Sequence, residues 1–196
     1  MTRRFATLLA LALAFALAPA AFAATTYEID PAHSDFSFKV RHFVTRVPGH
    51  FNEFSGTIVR DDENPSNSSV QITIRTASID TGIERRDNPL RSADFFDAEK
   101  HPEITFQSTA VERVSDDEYS VTGRLTMRGI TKVITLPVDF AGEMKDVSGN
   151  TRAGFFTETT LDRKEFGISW NKTLDEGGVM LGDDVRIEIN IEAVAK

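Results

Sequence analysis

The sequence predicts an all-β domain of about eight antiparallel strands, closed as an up-and-down barrel or stacked as a sandwich, with one short helix near an end. Two observations predict it. Aromatic and β-branched residues alternate with polar ones at a period of two through most of the chain. Turn-forming clusters separate those runs at short intervals. Closure is favoured because it removes exposed strand edges.

The elements follow in order. Phe36, Phe38, Val40, His42 and Val44 share one face of the first clear strand. Further runs are Phe54 to Arg60, Val70 to Thr76, Ile104 to Val114, Tyr119 to Met127, Thr131 to Phe140, Gly154 to Leu161 and Val185 to Ala193. The turn signals are Pro48-Gly49, Asp61 to Ser69, Ser115-Asp116-Asp117, Arg128-Gly129 and Ser148-Gly149-Asn150. One segment breaks the rhythm between Thr81 and Pro102. Pro89 suits a helix first turn there, and Pro102 lies beyond the helix end. It reads as a short helix crossing a barrel end, either as a plug over core residues or as the lid of a cavity.

Ahead of the strands stand Arg3 and Arg4, an uncharged run from Phe5 to Ala18, then Pro19 and small residues to Ala24. That order predicts a secretory signal peptide over 1–23, with cleavage after Ala23 at the Ala-x-Ala site. The apolar run is shorter than the roughly 20 residues a membrane-spanning helix needs, so an uncleaved anchor is the weaker alternative. Residues 24–196 have the length of one domain and are expected to be periplasmic. Removing two arginines and no acid takes the formal charge from -8 to -10. Such a surface repels nucleic acid and anionic head groups, so any transient membrane contact has to be local. The chain has no cysteine, which excludes disulfides, thiolate metal sites and a Cys nucleophile.

Catalytic patterns are absent from the sequence. The four histidines are irregularly spaced, with no metal-binding spacing among them, and neither a Gly-x-Ser-x-Gly elbow nor a phosphate-binding glycine loop occurs. No metal and no cofactor is expected, and the chain reads as a non-enzyme. His42, on the apolar face of its strand, is either a hydrogen-bonded core residue or a ligand contact. The basic groups Arg41-His42, Arg85-Arg86 with Asp87 and Arg91, and Arg163 are either surface ion pairs or contacts for a polar head group at a cavity mouth.

Ordered motifs then carry a resemblance. They are Tyr27 to Ser34, Phe38 to His42, Gly49 to Gly56, Ile79 to Thr81 leading into Arg86 to Asp97, His101 to Phe106, Gly123 to Lys132, and Leu161 to Gly167. Together these stretches resemble the YceI-like family of secreted polyisoprenoid-binding proteins across essentially the whole chain after the signal. The resemblance implies a lipocalin-like barrel whose interior takes an isoprenoid chain, such as a polyprenyl phosphate or an isoprenoid quinone. It implies Arg41, His42, Arg86, Asp87, Ser92, Phe95 and Arg163 as site candidates. Tyr27 stands where such proteins often have Trp. Strict alternation from Phe36 aims Arg41 outward, so its role requires a bulge, a mouth position or a structural task. Barrels of about eight strands enclose either packed side chains or one small ligand, and Phe36, Phe38, Phe106, Phe140 and Phe155 are the expected lining. The expected partner is the isoprenoid lipid, with a homodimer left open. Two rivals stand beside a carrier: an enzyme acting on the bound lipid through His42, Arg86 or Asp87, and a stress-related interaction protein with an incidental cavity.

Overall fold

A computed structural model describes residues 24–175 and 177–196 of the chain; the expected signal peptide and its cleavage site lie outside the described residues. Eleven strands and one α-helix follow one another as β1 (Thr25–Ile29), β2 (Asp35–His42), β3 (Thr45–Phe51), β4 (Phe54–Arg60), β5 (Ser69–Arg75), β6 (Ile79–Asp80), α1 (Glu84–Arg91), β7 (Glu103–Arg113), β8 (Glu118–Met127), β9 (Ile130–Lys145), β10 (Thr151–Asp162) and β11 (Leu181–Ala195).

All pairings are antiparallel, and they close. The ring runs β1-β4-β5-β7-β8-β9-β10-β11 and returns through the pairing of Tyr27 to Ile29 with Ala195 to Ala193. β2 continues the line of β1 along β11, since Phe36 faces Ile189 where Ile29 faces Ala193. β3 likewise continues β4, lying against β2 as β4 lies against β1. The result is an eight-stranded up-and-down barrel with one short helix, the closed form of the two that alternation left open and the one the resemblance implies, its first positions bent by the Asp30–Ser34 interruption.

The period of two puts Tyr119, Val121 and Leu125 of β8 inside, and Ile134, Leu136 and Val138 of β9 beside them. A register shift between Ser108 and Ala110 moves the inward parity of β7 from Ile104 and Phe106 to Val111. Without that bulge the upper half of β7 would show its apolar side to water.

Two corrections concern strands. Pro48-Gly49, read as a turn, lies inside β3 opposite Lys39 and Phe38. The reversal comes earlier, at Phe43-Val44. Proline is tolerated there because β3 has a partner on its other side only at His50 and Phe51, through β6. β1 carries no long alternating run and was not among the predicted strands, yet it closes the ring.

The two barrel ends differ. At the helix end lie the β2–β3 turn, α1 with its flanking loops, the β8–β9 turn and the connection from Asp162 to Leu181. Phe95 packs on Trp170 at 5.2 Å and Phe51 on Phe96 at 5.8 Å, so the loops cover that end with aromatic rings. At the hairpin end lie the β4–β5 connection, the β7–β8 and β9–β10 hairpins, and the start of β1 beside the end of β11.

Candidate functional site

The barrel interior is not filled. A cavity of about 160 Å³ runs inside it, roughly ten times the space one water molecule needs. Its wall is built from the inward positions of nearly every strand. Phe38 and Phe51 stand toward the helix end, Ile72, Phe106, Val121 and Leu136 around the middle, and Val59, Arg60 and Ser68 at the hairpin end. The polar residues among its lining are Ser37, Arg60, Ser68, Tyr119, Thr157 and Thr159, and the rest are apolar, so the cavity is a hydrocarbon-lined tunnel. An apolar site of this kind holds water poorly and accepts an apolar ligand.

Two glycines fix its width. An added Cβ on Gly49 would stand 2.4 Å from Cζ of Phe38, and one on Gly123 would stand 2.4 Å from Cζ of Phe106. Each phenylalanine therefore lies flat across a neighbouring glycine and keeps its ring against the wall.

Arg60 is the one charged residue of the wall. It continues the inward parity of Phe54, Gly56 and Ile58 along β4. Its guanidinium carbon lies 3.9 Å from the centre of the Phe140 ring, and Nη1 donates to Asp62 at 2.8 Å. Nε is buried and has no hydrogen-bond partner among the described residues. Nearby, the Tyr27 hydroxyl donates to Glu143, and burial, followed by that carboxylate, pushes its pKa up to about 12. Tyr27 thus stays neutral, and Arg60 is the cation at this end of the tunnel.

The sequence-predicted residues divide sharply. Phe36, Phe38, Phe106 and Phe155 line the tunnel, whereas Phe140, on the inward face of β9, packs on Phe155 at 5.5 Å beneath the Arg60 guanidinium and is not part of the lining. Arg41, His42, Arg86, Asp87, Ser92, Phe95 and Arg163 do not reach it. Arg41 is exposed and donates to the carbonyls of Phe43 and Val179. The His42 ring meets the ring of Phe43 at 4.5 Å, at the β2–β3 turn. Asp87 is buried and accepts from the Thr81 amide at 3.0 Å and its hydroxyl at 2.5 Å, while Arg86 donates 2.6 Å bonds to the Thr81 hydroxyl and carbonyl. These bonds fasten α1, whose N-cap residue Ile83 offers no side-chain oxygen. Ser92 closes the other end of α1 by donating to the Pro89 carbonyl. Arg163 is buried and donates to the carbonyls of Gly182, Ile168 and Trp170. Arg86, Asp87, Ser92 and Arg163 thus bond to the protein's own groups and hold the helix end in shape. Arg60 is the residue the motifs missed, although alternation along β4 already aimed it inward.

Two other clusters are closed to ligands by their own contacts. Asp30, His33 and Glu192 bring one ligand atom each within 4.8 Å of one another. Nη1 of Arg152 already sits 2.8 Å from Asp30 and 2.5 Å from Glu192, filling the place a cation would take. A polar groove of about 510 Å³ beneath α1 is open to solvent, and its arginine, Arg91, is spent on the carbonyls of Ala77 and Ile79 and on Glu84.

Comparison with known proteins agrees with this geometry. The family model of the YceI-like domain matches residues 27–193. A UPF0312 protein of Pectobacterium atrosepticum is 41% identical over 192 residues, covering 96% of each chain. Among solved structures, Burkholderia cenocepacia BcnA is 27% identical with a TM-score of 0.75, covering 84% of this chain and 98% of its own. A polyisoprenoid binding domain from Saccharophagus degradans has the same fold, with a TM-score of 0.64 at 17% identity, covering 87% of this chain and 98% of its own.

Proposed function

The chain belongs to the YceI-like family, and from that premise we propose that it is a periplasmic binding and carrier protein for a long apolar isoprenoid lipid, held in the barrel interior. The single observation that carries the reading is the hydrocarbon-lined tunnel in the barrel interior. The Saccharophagus degradans domain supports the choice of ligand, since a polyisoprenoid is what that protein is described as binding. The charged start, apolar run and Ala-x-Ala site of residues 1–23 support export with removal of that segment.

The energetics suit a carrier. If about 600 Å² of ligand hydrocarbon leaves water, the gross gain is about 15 kcal/mol. Association costs of roughly 4 to 15 kcal/mol remove much of it. Binding is then reversible, as delivery requires.

A ten-residue strand such as β8 extends roughly 34 Å, and about 26 Å along a barrel axis at the usual tilt. Several isoprene units fit that length. The head of the ligand is assigned to Arg60, the charged residue of the wall, because a guanidinium makes charge-assisted bonds to a phosphate or quinone oxygen. The reading is of a binder and not a catalyst, because a wall of Phe, Ile, Leu and Val offers a chain no acid-base chemistry.

Native mass spectrometry after incubation with a polyprenyl phosphate tests the proposal. One lipid per chain is expected on the wild type and none on Leu136→Trp, whose indole fills the tunnel. Arg60→Met is expected to weaken the polyprenyl phosphate while leaving squalene, a hydrocarbon with no head, unaffected. Absence of any adduct on the wild type, or equal loading of Leu136→Trp, refutes the reading.

A further inference from the structure

The turn between β2 and β3 combines three unfavourable features in two adjacent pairs of residues. Its central residues are Phe43 and Val44, which are 43% and 100% exposed. Phe43 has a φ of 50°, the left-handed region that two-residue hairpin turns normally fill with glycine. Just behind the tip, Arg41 and Arg46 lie directly opposite each other across the two strands, both exposed. Like charges facing across a strand pair are destabilising, and among the described residues neither guanidinium is paired with a carboxylate. A turn selected for folding alone would read Gly-Asn between unlike charges. Strain at a functional position is a reason to look for what compensates it.

A second loop completes the surface. Val179, 38% exposed, lies beside the tip, because the Phe43 amide donates to the Met180 carbonyl at 2.8 Å and Arg41 donates to the Val179 carbonyl. The Arg41 bond to the Phe43 carbonyl at 2.9 Å holds the turn in this shape. The apolar tip and its basic collar are therefore one built unit.

We infer that the Phe43-Val44 tip, with Val179 beside it and Arg41 and Arg46 behind it, docks the barrel onto an anionic lipid bilayer. Phe43, Val44 and Val179 enter the boundary between head groups and acyl chains, and the two arginines meet lipid phosphates. One partner then relieves both the exposure and the facing charges. The chain as a whole is acidic, but the Debye length near 8 Å at physiological salt screens the carboxylates of the hairpin end, a barrel length away. Acids also stand near the collar: Asp183 beside Gly182 is held by Arg163 and Lys164, whereas Asp184, in the β11 irregularity opposite Arg41, and Asp175, on the loop that carries Val179 and Lys172, are exposed.

The tip also continues the tunnel wall. Phe36, Phe38 and Val40 share one face of β2, and Val40 pairs with Val47 just short of the turn. Docking by this end turns the tail end of the tunnel toward the bilayer, opposite Arg60. This last point rests on the carrier reading; the docking itself does not.

Co-sedimentation of residues 24–196, the whole barrel, with vesicles of phosphatidylglycerol and phosphatidylcholine tests it, against vesicles of phosphatidylcholine alone. The wild type is expected to pellet with the anionic vesicles and to stay in solution with the neutral ones. Arg41→Gln and Arg46→Gln are each expected to weaken binding about fivefold. Phe43→Gly/Val44→Asn gives the turn its preferred residues, so it is expected to melt no lower than the wild type and yet to lose the vesicles. A wild type left in solution by anionic vesicles overturns the proposal, as would a tip that serves a protein partner instead. So does a Gly-Asn variant that pellets like the wild type. A chain that pellets but takes up no polyprenyl lipid keeps the docking and sinks the carrier; loading without pelleting does the reverse.

Discussion

Gly49 is the residue that keeps the tunnel open at Phe38. All three atoms nearest to an added Cβ belong to the Phe38 ring, at 2.4, 2.9 and 2.9 Å, so the clash falls on a side chain and not on backbone. In Gly49→Ala the ring has to leave the wall and swing into the lumen. We expect a stability loss of about 1–3 kcal/mol by denaturant titration, together with loss of lipid uptake. Adding Phe38→Leu should restore uptake; if Gly49→Ala loads normally, Phe38 does not set the width. At this scale the sequence was informative wherever a side chain sits in a regular strand. Phe36, Phe38 and Phe106 are inward because parity puts them there, and parity also aimed Arg60 inward. Motif membership was a poorer guide. Arg86, Asp87 and Arg163 belong to resembling stretches because they hold loops in place, and a motif does not distinguish a residue that binds backbone carbonyls from one that binds ligand.

At the scale of elements, the connection between β10 and β11 depends on Arg163. Its guanidinium joins the carbonyls of Gly182, Ile168 and Trp170 to the carboxylate of Asp183. Arg163→Met leaves three carbonyls without their donor inside the protein, a loss of about 3 kcal/mol. Hydrogen exchange is expected to speed up over 167–183 while β7 to β9 stay protected. Uniform acceleration along the whole chain would show instead that Arg163 supports the barrel and not this connection. The same connection was opaque to periodicity because its carbonyls are satisfied by a side chain and not by a partner strand. The predicted strands fared differently. Phe54 to Arg60 was found as read, and the strands from β7 to β11 were found with ends moved by a few residues. β3 was hidden by Pro48-Gly49, since turn chemistry and an edge position look alike until the partner strand is known.

Closure of the whole molecule brings its termini-side strands against the β9–β10 hairpin, and charge holds that seam. Arg152 on β10 binds Asp30 after β1, Asp146 in the hairpin and Glu192 on β11. The Arg152 hydrogen bond, followed by that of His33, draws the Asp30 pKa down to about 2, and Arg152 with Asn150 holds Asp146 well below the usual carboxylate range. Both folded-state values lie below those of the unfolded chain. The contribution is therefore complete above about pH 4 and is lost as pH falls through the folded values. Thermal midpoints are expected to hold steady from neutral pH to about pH 5 and to fall steeply toward pH 2, with a shallower acid limb in Arg152→Met. An unchanged limb in that variant would remove the seam from the account. Alternation and turn spacing left barrel and sandwich open and the resemblance pointed to the barrel, but the seam was not legible, because its partners lie 122 and 40 residues apart. The most direct measurement of the central claim is a crystal structure of the protein purified from the cells that make it. We predict one continuous tube of density inside the barrel, from Phe38 to its head at Arg60. An interior collapsed on its own side chains, or lipid density only on the outer surface, would contradict it.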